Sequence, residues 1–394
     1  MPPSNRILRV GRLPSPRARA ALLALSLGAA AVGRSIASPH IPAIESEVLA
    51  EVPAGAAHES GAARALTRER IDVAIPVARV YIERSRDTGD LRFLGYAEAT
   101  LAPWVGRQPI VPAAWVLHAT ILQSRHAFGA ALTELDRVLA ITPDDPQAWL
   151  TRASVLRVLG RYDESLDSCD RLKRVDASIA SLCAEGVRAL TGHLPEAYAA
   201  IAALQPQFLS EAARALRCSE LAEMSERLGD DEAAEHWFRE GLELAPKDLY
   251  VRNAYADLLL RRGRSGDVLQ LLSGQPLMEP VLLRRVLAGF SQRARADDGD
   301  RQLLSEAFAL EVARGDAVHR REQARFLLDV EHRPGESLAA AQANWAAQRE
   351  PADLLVLLRA ARAAQRADAA QPALQFLHET GLQDARLTPY LSAR

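Results

Sequence analysis

One spacing governs this chain. Trp115 and Trp149, Pro109 and Pro143, and Pro112 and Pro146 each stand 34 residues apart. Ala97, Ala131 and Ser165 keep the same step, and so do Ala119 and Ala153. A fixed step of roughly 20 to 50 residues marks stacked copies of one small unit, each burying its apolar face only against its neighbours. The composition agrees with helical units. Alanine, leucine and arginine dominate, while aromatic residues make up 5% of the chain, which favours helices over strands and excludes an all-β fold. With 48% hydrophobic and 25% charged residues the chain fills a core, so disorder is excluded as its dominant state.

The spacing inside one unit predicts two helices. Trp115, Ala119 and Leu122 fall on one face of a first helix, and Ala131, Leu135 and Val138 on one face of a second. Arg125-His126-Ala127 makes the turn between them. Later units put Leu159-Gly160-Arg161 and Leu228-Gly229-Asp230 there, and glycine accepts the left-handed conformation that ends a helix. Ala119 and Ala131 face each other and let the helices approach closely. Pro143, followed by Asp144-Asp145-Pro146, stops the second helix and starts the next unit.

This pattern resembles the tetratricopeptide repeat (TPR) family: aromatic, small and apolar places in helix one, small and apolar places in helix two, then a closing proline. Residues 111–146 match in Trp115, Ala119, Leu122, Ala131, Leu135, Val138 and Pro143. Residues 147–178 match in Trp149, Ala153, Leu156, Gly160 and Tyr162, with Ser165 and Ala177 departing from the pattern. Residues 215–248 match in Leu221, Ala222, Gly229, Ala234, Phe238 and Pro246. The next unit carries Tyr255, Ala256, Leu259 and Gly263, then shortens its second helix before Pro276. The resemblance implies an all-α, right-handed α-solenoid of some nine stacked helix-turn-helix hairpins. Its expected limits are 65–276, with the best repeats at 112–178 and 215–272, a degenerate hairpin at 277–319, and further TPR-like hairpins at 320–394.

Ahead of the repeats lies a different kind of segment. Arg6, Arg9, Arg12, Arg17, Arg19 and Arg34 precede the first acid, Glu45, and flank an apolar run from Ala20 to Gly33. This is the layout of a secretory signal spanning 1–37, cleaved after Ala37 or after Ala31, with a mitochondrial transit peptide as the alternative for so acid-poor and Arg-rich a start. The run is shorter than the roughly 20 residues that cross a bilayer stably, so no stable membrane insertion is expected after cleavage; an uncleaved signal would anchor the chain in the inner membrane. Export to a bacterial periplasm is the expectation, its bacterial part leaning on the use of arginine over lysine. Residues 38–64, with Pro39, Pro42, Pro53, Gly55 and Gly61 and no apolar period, read as a flexible arm. Net charge is -2, and -8 without the signal, which gives no reason to expect nucleic acid. Cys169, Cys183 and Cys218 show no metal-ligand spacing. They read as small buried hydrophobes, or, in an oxidising compartment, as a Cys169–Cys183 pair with Cys218 left over.

No motif for chemistry stands out. Neither GxxxxGK[ST] nor GxGxxG occurs, lysine appears only at 173 and 247, and there is no GxSxG or HExxH. No two of the nine histidines stand four apart, so each reads as a packed or exposed helix residue. No catalytic residue, cofactor or metal is expected. Trp115 and Trp149 are assigned to packing, and Trp237 to a surface anchor.

Stacked hairpins curve, and their first helices line the inner surface, where the resemblance implies an extended peptide or partner helix is held. Spacing from the core places puts Val116, Thr120 and Gln123, then Leu150, Ser154 and Arg157, then Ser219, Glu223 and Glu226, then Asn253, Asp257 and Arg261 on that surface. The lysines and asparagines of one known carboxylate clamp are missing from Val116, Thr120, Leu150 and Ser154. The expected function is a non-catalytic scaffold or adaptor binding a partner protein or peptide in the groove. The alternatives are an architectural subunit of an envelope complex and an enzyme with its site in 280–315.

Overall fold

The computed structural model describes residues 69–291, 298–315 and 318–391. The chain divides into two units, Met1–Glu47 and Val48–Arg394, and every described residue lies in the second. The expected signal at 1–37 and arm at 38–64 lie outside the described residues.

Nineteen α-helices and no strand occur among the described residues. Hairpins follow one another: α1 (Ile71–Thr88) with α2 (Arg92–Val105), α3 (Pro112–Ser124) with α4 (Phe128–Ile141), and α5 (Pro146–Val158) with α6 (Tyr162–Arg171). Then come α7 (Ala177–Arg188) with α8 (Leu194–Ala202), α9 (Glu211–Leu228) with α10 (Asp231–Leu244), and α11 (Leu249–Arg261) with the short α12 (Ser265–Leu271). The last are α13 (Glu279–Ser291) with α14 (Asp298–Arg314), α15 (Arg320–Asp329) with α16 (Pro334–Ala347), and α17 (Pro351–Ala363) with α18 (Gln371–Thr380). One further turn, α19 (Thr388–Leu391), follows.

Local chemistry explains these limits. Pro112 and Pro146 open α3 and α5, where a missing N–H costs nothing. Asp145, Ser210, Asp230 and Asp248 accept hydrogen bonds from the exposed N–H groups at the starts of α5, α9, α10 and α11. The α3–α4 turn has no glycine, so His126 itself takes the left-handed conformation, at φ 59°. The equivalent turns use Gly160 and Gly229.

Small residues seal each hairpin. Ala119 and Ala131 have no exposed surface, and Ala153 meets Ser165 across the next pair. Serine replaces alanine there at no loss, because its hydroxyl donates to the Ala153 carbonyl over 2.8 Å. Trp115 is buried, and half-buried Trp149 donates its indole N–H to the Pro143 carbonyl at 2.7 Å. Trp237 departs from its assignment. Its indole N–H reaches Tyr198 Oη at 3.2 Å and its ring lies under Arg217, so it staples α10 to α8 of the preceding hairpin and to its own partner α9 instead of standing free.

Two features were left open by the sequence. Cys169 of α6 and Cys183 of α7 form a disulfide, so these two cysteines are not unpaired hydrophobes; Cys218 stays free and buried. The second concerns the far end of the array. Residues Trp345, Leu357, Phe376 and Leu387 share one core cluster with Ala153, Tyr162, Val187 and Leu190. Arg349 N–H donates to the Val158 carbonyl at 2.8 Å, and the Tyr162 and Phe376 rings are 5.9 Å apart. The last hairpins therefore pack back onto α5, α6 and α7. This return narrows the concave face and bounds it on a further side.

Candidate functional site

The concave face holds a half-open cavity of about 1220 Å³. The first helix of every hairpin contributes to its wall, from Arg86 of α1 and Gln123 of α3 to Arg359 of α17, together with Arg386 and Tyr390. A first helix turns its Trp115-type face into the core, so the face beside it must look inward.

Charge fills this wall, and most of it is already paired. Arg157 reaches Glu220 at 2.6 Å across Gly186, where a Cβ would lie 2.9 Å from the guanidinium. Only glycine on α7 lets that pair form unhindered. Arg261 bonds Glu226 at 2.5 Å, and Arg386 approaches the same carboxylate at 3.5 Å. Asp257 receives Arg284 at 2.5 Å and Arg325 at 2.8 and 3.0 Å. Burial works against ionising Asp257, but the two guanidinium groups outweigh it and hold the carboxyl below its ordinary value. Arg321 bonds Glu350 at 3.0 Å.

Glu223 is different. Among the carboxyl groups of the described wall it alone has a phenol for a partner, Tyr250 Oη donating to its Oε1 over 2.5 Å. Burial, with the nearby charge of Glu220, pushes Glu223 up to about 7. The Tyr250 ring, 54% exposed, faces the space beside it. One turn along α11, Asn253 is 8% exposed and its Oδ1 is buried without a hydrogen-bond partner. Apolar surface from Leu249, Leu260, Leu287 and Leu355 separates the charged groups. His126, on the same wall, is pushed down to about 4 by burial and then by the charge of Arg321.

The twelve residues selected by spacing divide between two fates. Gln123, Arg157, Glu223, Glu226, Asn253, Asp257 and Arg261 line the cavity. Val116 and Thr120 do not: both are buried between helices, the Thr120 hydroxyl bonded to the Val116 carbonyl at 3.0 Å. Leu150, Ser154 and Ser219 are half-buried and off the wall. The error on α3 and α5 is one of position along the helix, since the predicted face is right at Gln123 and Arg157 but only the C-terminal end of each helix reaches the cavity. Asp257 does line the cavity, but Arg284 and Arg325 neutralise it from within. Tyr250 was missed, although it stands three residues before Asn253 on the same face. Arg284, Arg321 and Arg325 were missed because the spacing argument stopped at Arg261 and was not carried into α13 and α15.

Stacked hairpins, a 34-residue step and an inner wall built from first helices define an all-α solenoid of tetratricopeptide type. No family model and no curated protein matches the chain. Among solved structures it is similar to TTC0263, a thermophilic TPR protein in Thermus thermophilus, with 23% identity over 48% of this chain and 99% of that one, at a TM-score of 0.37. A tetratricopeptide repeat protein from Parabacteroides merdae gives 19% identity over 59% and 99%, at 0.36. The APC/C hetero-tetramer Cut9-Hcn1 gives 12% over 76% and 58%, at 0.45.

Proposed function

We propose that this chain is a protein-interaction scaffold that holds an extended segment of a partner inside the solenoid. The observation that carries the reading is the cavity wall: a volume of about 1220 Å³ framed by first helices, with most of its charges paired internally and Glu223 held only by the Tyr250 phenol. Asn253 lines that wall with its Oδ1 buried and unbonded, and a turn of its side chain toward a peptide backbone N–H would remove the penalty of leaving it so. In-cell cross-linking followed by mass spectrometry tests this. Asn253→Leu and Glu223→Arg are expected to lose the partner captured by the unaltered chain; unchanged capture moves the interface to another face.

Export is part of the proposal. The arginine-bearing, apolar start of the sequence supports it, and so does the Cys169–Cys183 disulfide, a bond that persists in oxidising compartments. Periplasmic and membrane fractions of expressing cells separate a cleaved form from an anchored one.

A second reading rests on Glu223. A carboxyl group lifted to about 7 inside a cavity and bonded to a phenol suits proton transfer at neutral pH. Glu223→Gln keeps the shape and discriminates the two. A scaffold holds its partner equally in both forms, whereas a catalyst accumulates intact substrate only in the variant.

A further inference from the structure

Three elements converge beside the cavity, away from Glu223 and Tyr250. Glu279 opens α13, Glu311 lies in the last two turns of α14, and His319 immediately precedes α15. Their side chains are 16%, 16% and 11% exposed. His319 Nδ1 stands 2.5 Å from Glu311 Oε1 and 3.9 Å from Glu279 Oε2, and the three ligand atoms all lie within 4.8 Å of one another. Glu279 Oε2 is buried and has no hydrogen-bond partner. One imidazole proton satisfies Glu311 and leaves that second carboxylate oxygen desolvated and unmatched.

We propose that Glu279, Glu311 and His319 form a site for one divalent transition-metal ion, Zn²⁺ in the first instance. A cation among them meets all three donors at once, including the orphaned oxygen. One imidazole nitrogen and two carboxylates are a donor set for zinc, and three protein ligands leave a fourth position for water. Tetrahedral zinc at 2.0–2.2 Å from its ligands requires donors about 3.3 Å apart. The shorter His319 pair opens by about 0.8 Å and the longer closes by about 0.6 Å, and the two carboxylates, within 4.8 Å of each other, close by at most about 1.5 Å. Glu322 is no competitor for the ion, being held by Arg321 and Arg284 at 3.8 and 3.9 Å. His319 also lines the cavity, so the ion would sit in its wall.

The test uses the full chain, stripped with a chelator and titrated with Zn²⁺ by calorimetry. One equivalent is expected, with proton release as His319 exchanges its proton for the metal. Co²⁺ in its place is expected to give the visible absorption of a low-symmetry, four-coordinate ion. Glu279→Gln and His319→Gln are expected to weaken binding by about tenfold or more, while His236→Gln, at an exposed histidine, leaves it unchanged. Glu279→Gln is near-isosteric, so its circular dichroism and melting without metal are expected to match the parent. Absence of a stoichiometric equivalent overturns the proposal, and so does a Glu279→Gln chain that binds zinc as tightly as the parent.

Discussion

Glu223 shows how a single side chain responds to burial. On an open groove its carboxyl would be solvated and ionised at neutral pH. Inside the cavity it keeps its proton up to about 7, against 4.5 for an ordinary glutamate. Between those values the folded chain binds a proton that the unfolded chain has released, so this group's contribution to stability falls as pH rises through the window and stays lost above it. Glu223→Gln removes the dependence. Urea unfolding at pH 4 and at pH 8 is expected to show the variant gaining about 1–2 kcal/mol on the parent at the higher pH, a figure reduced from the full shift for water in the cavity. An equal difference at both values sinks the assignment. Spacing alone located Glu223, but its protonation depends on Glu220, Tyr250 and burial, which no spacing reports.

At the scale of elements, the turns do two jobs that look alike in the sequence. Gly160 and Gly263 both follow a first helix and both take positive φ, 73° and 70°. A Cβ at Gly263 meets nothing within 4 Å, whereas one at Gly160 lies 2.8 Å from the Phe376 ring of α18. Gly263→Ala is therefore expected to cost only the left-handed penalty, about 1 kcal/mol. Gly160→Ala is expected to cost about 2–3 kcal/mol, because Phe376 must leave its packing with Tyr162 and Trp345. Denaturant unfolding of the two variants side by side checks the ordering; equal losses mean that α18 does not seat on the α5–α6 turn. Both glycines were legible as helix stops. That one of them is also a contact was not, since its partner lies more than 200 residues further along.

For the whole molecule, the return of the last hairpins changes how stability is shared. In a simple array, deleting one end disturbs only the adjacent repeat. Here Phe376 and Leu387 belong to the same cluster as Ala153, Tyr162 and Val187, and Arg386 reaches Glu226. Deleting residues 367–394 is expected to strip hydrogen-exchange protection from α5, α6 and α7 while α1 and α2 keep theirs. Losses confined to α17 would show that the return contributes little.

The sequence by itself determined the unit: two helices, a 34-residue step, small residues at the seam, proline and aspartate at the joints. These follow from backbone geometry and near-neighbour packing, which act over a few turns and leave their marks in periodicity. Tertiary structure alone decided that Asp257 is neutralised by Arg284 and Arg325, that Val116 and Thr120 are hidden, and that Glu279, Glu311 and His319 meet. Those outcomes depend on how far each hairpin rotates on the last, and small rotations summed over nine hairpins determine which distant side chains share a wall.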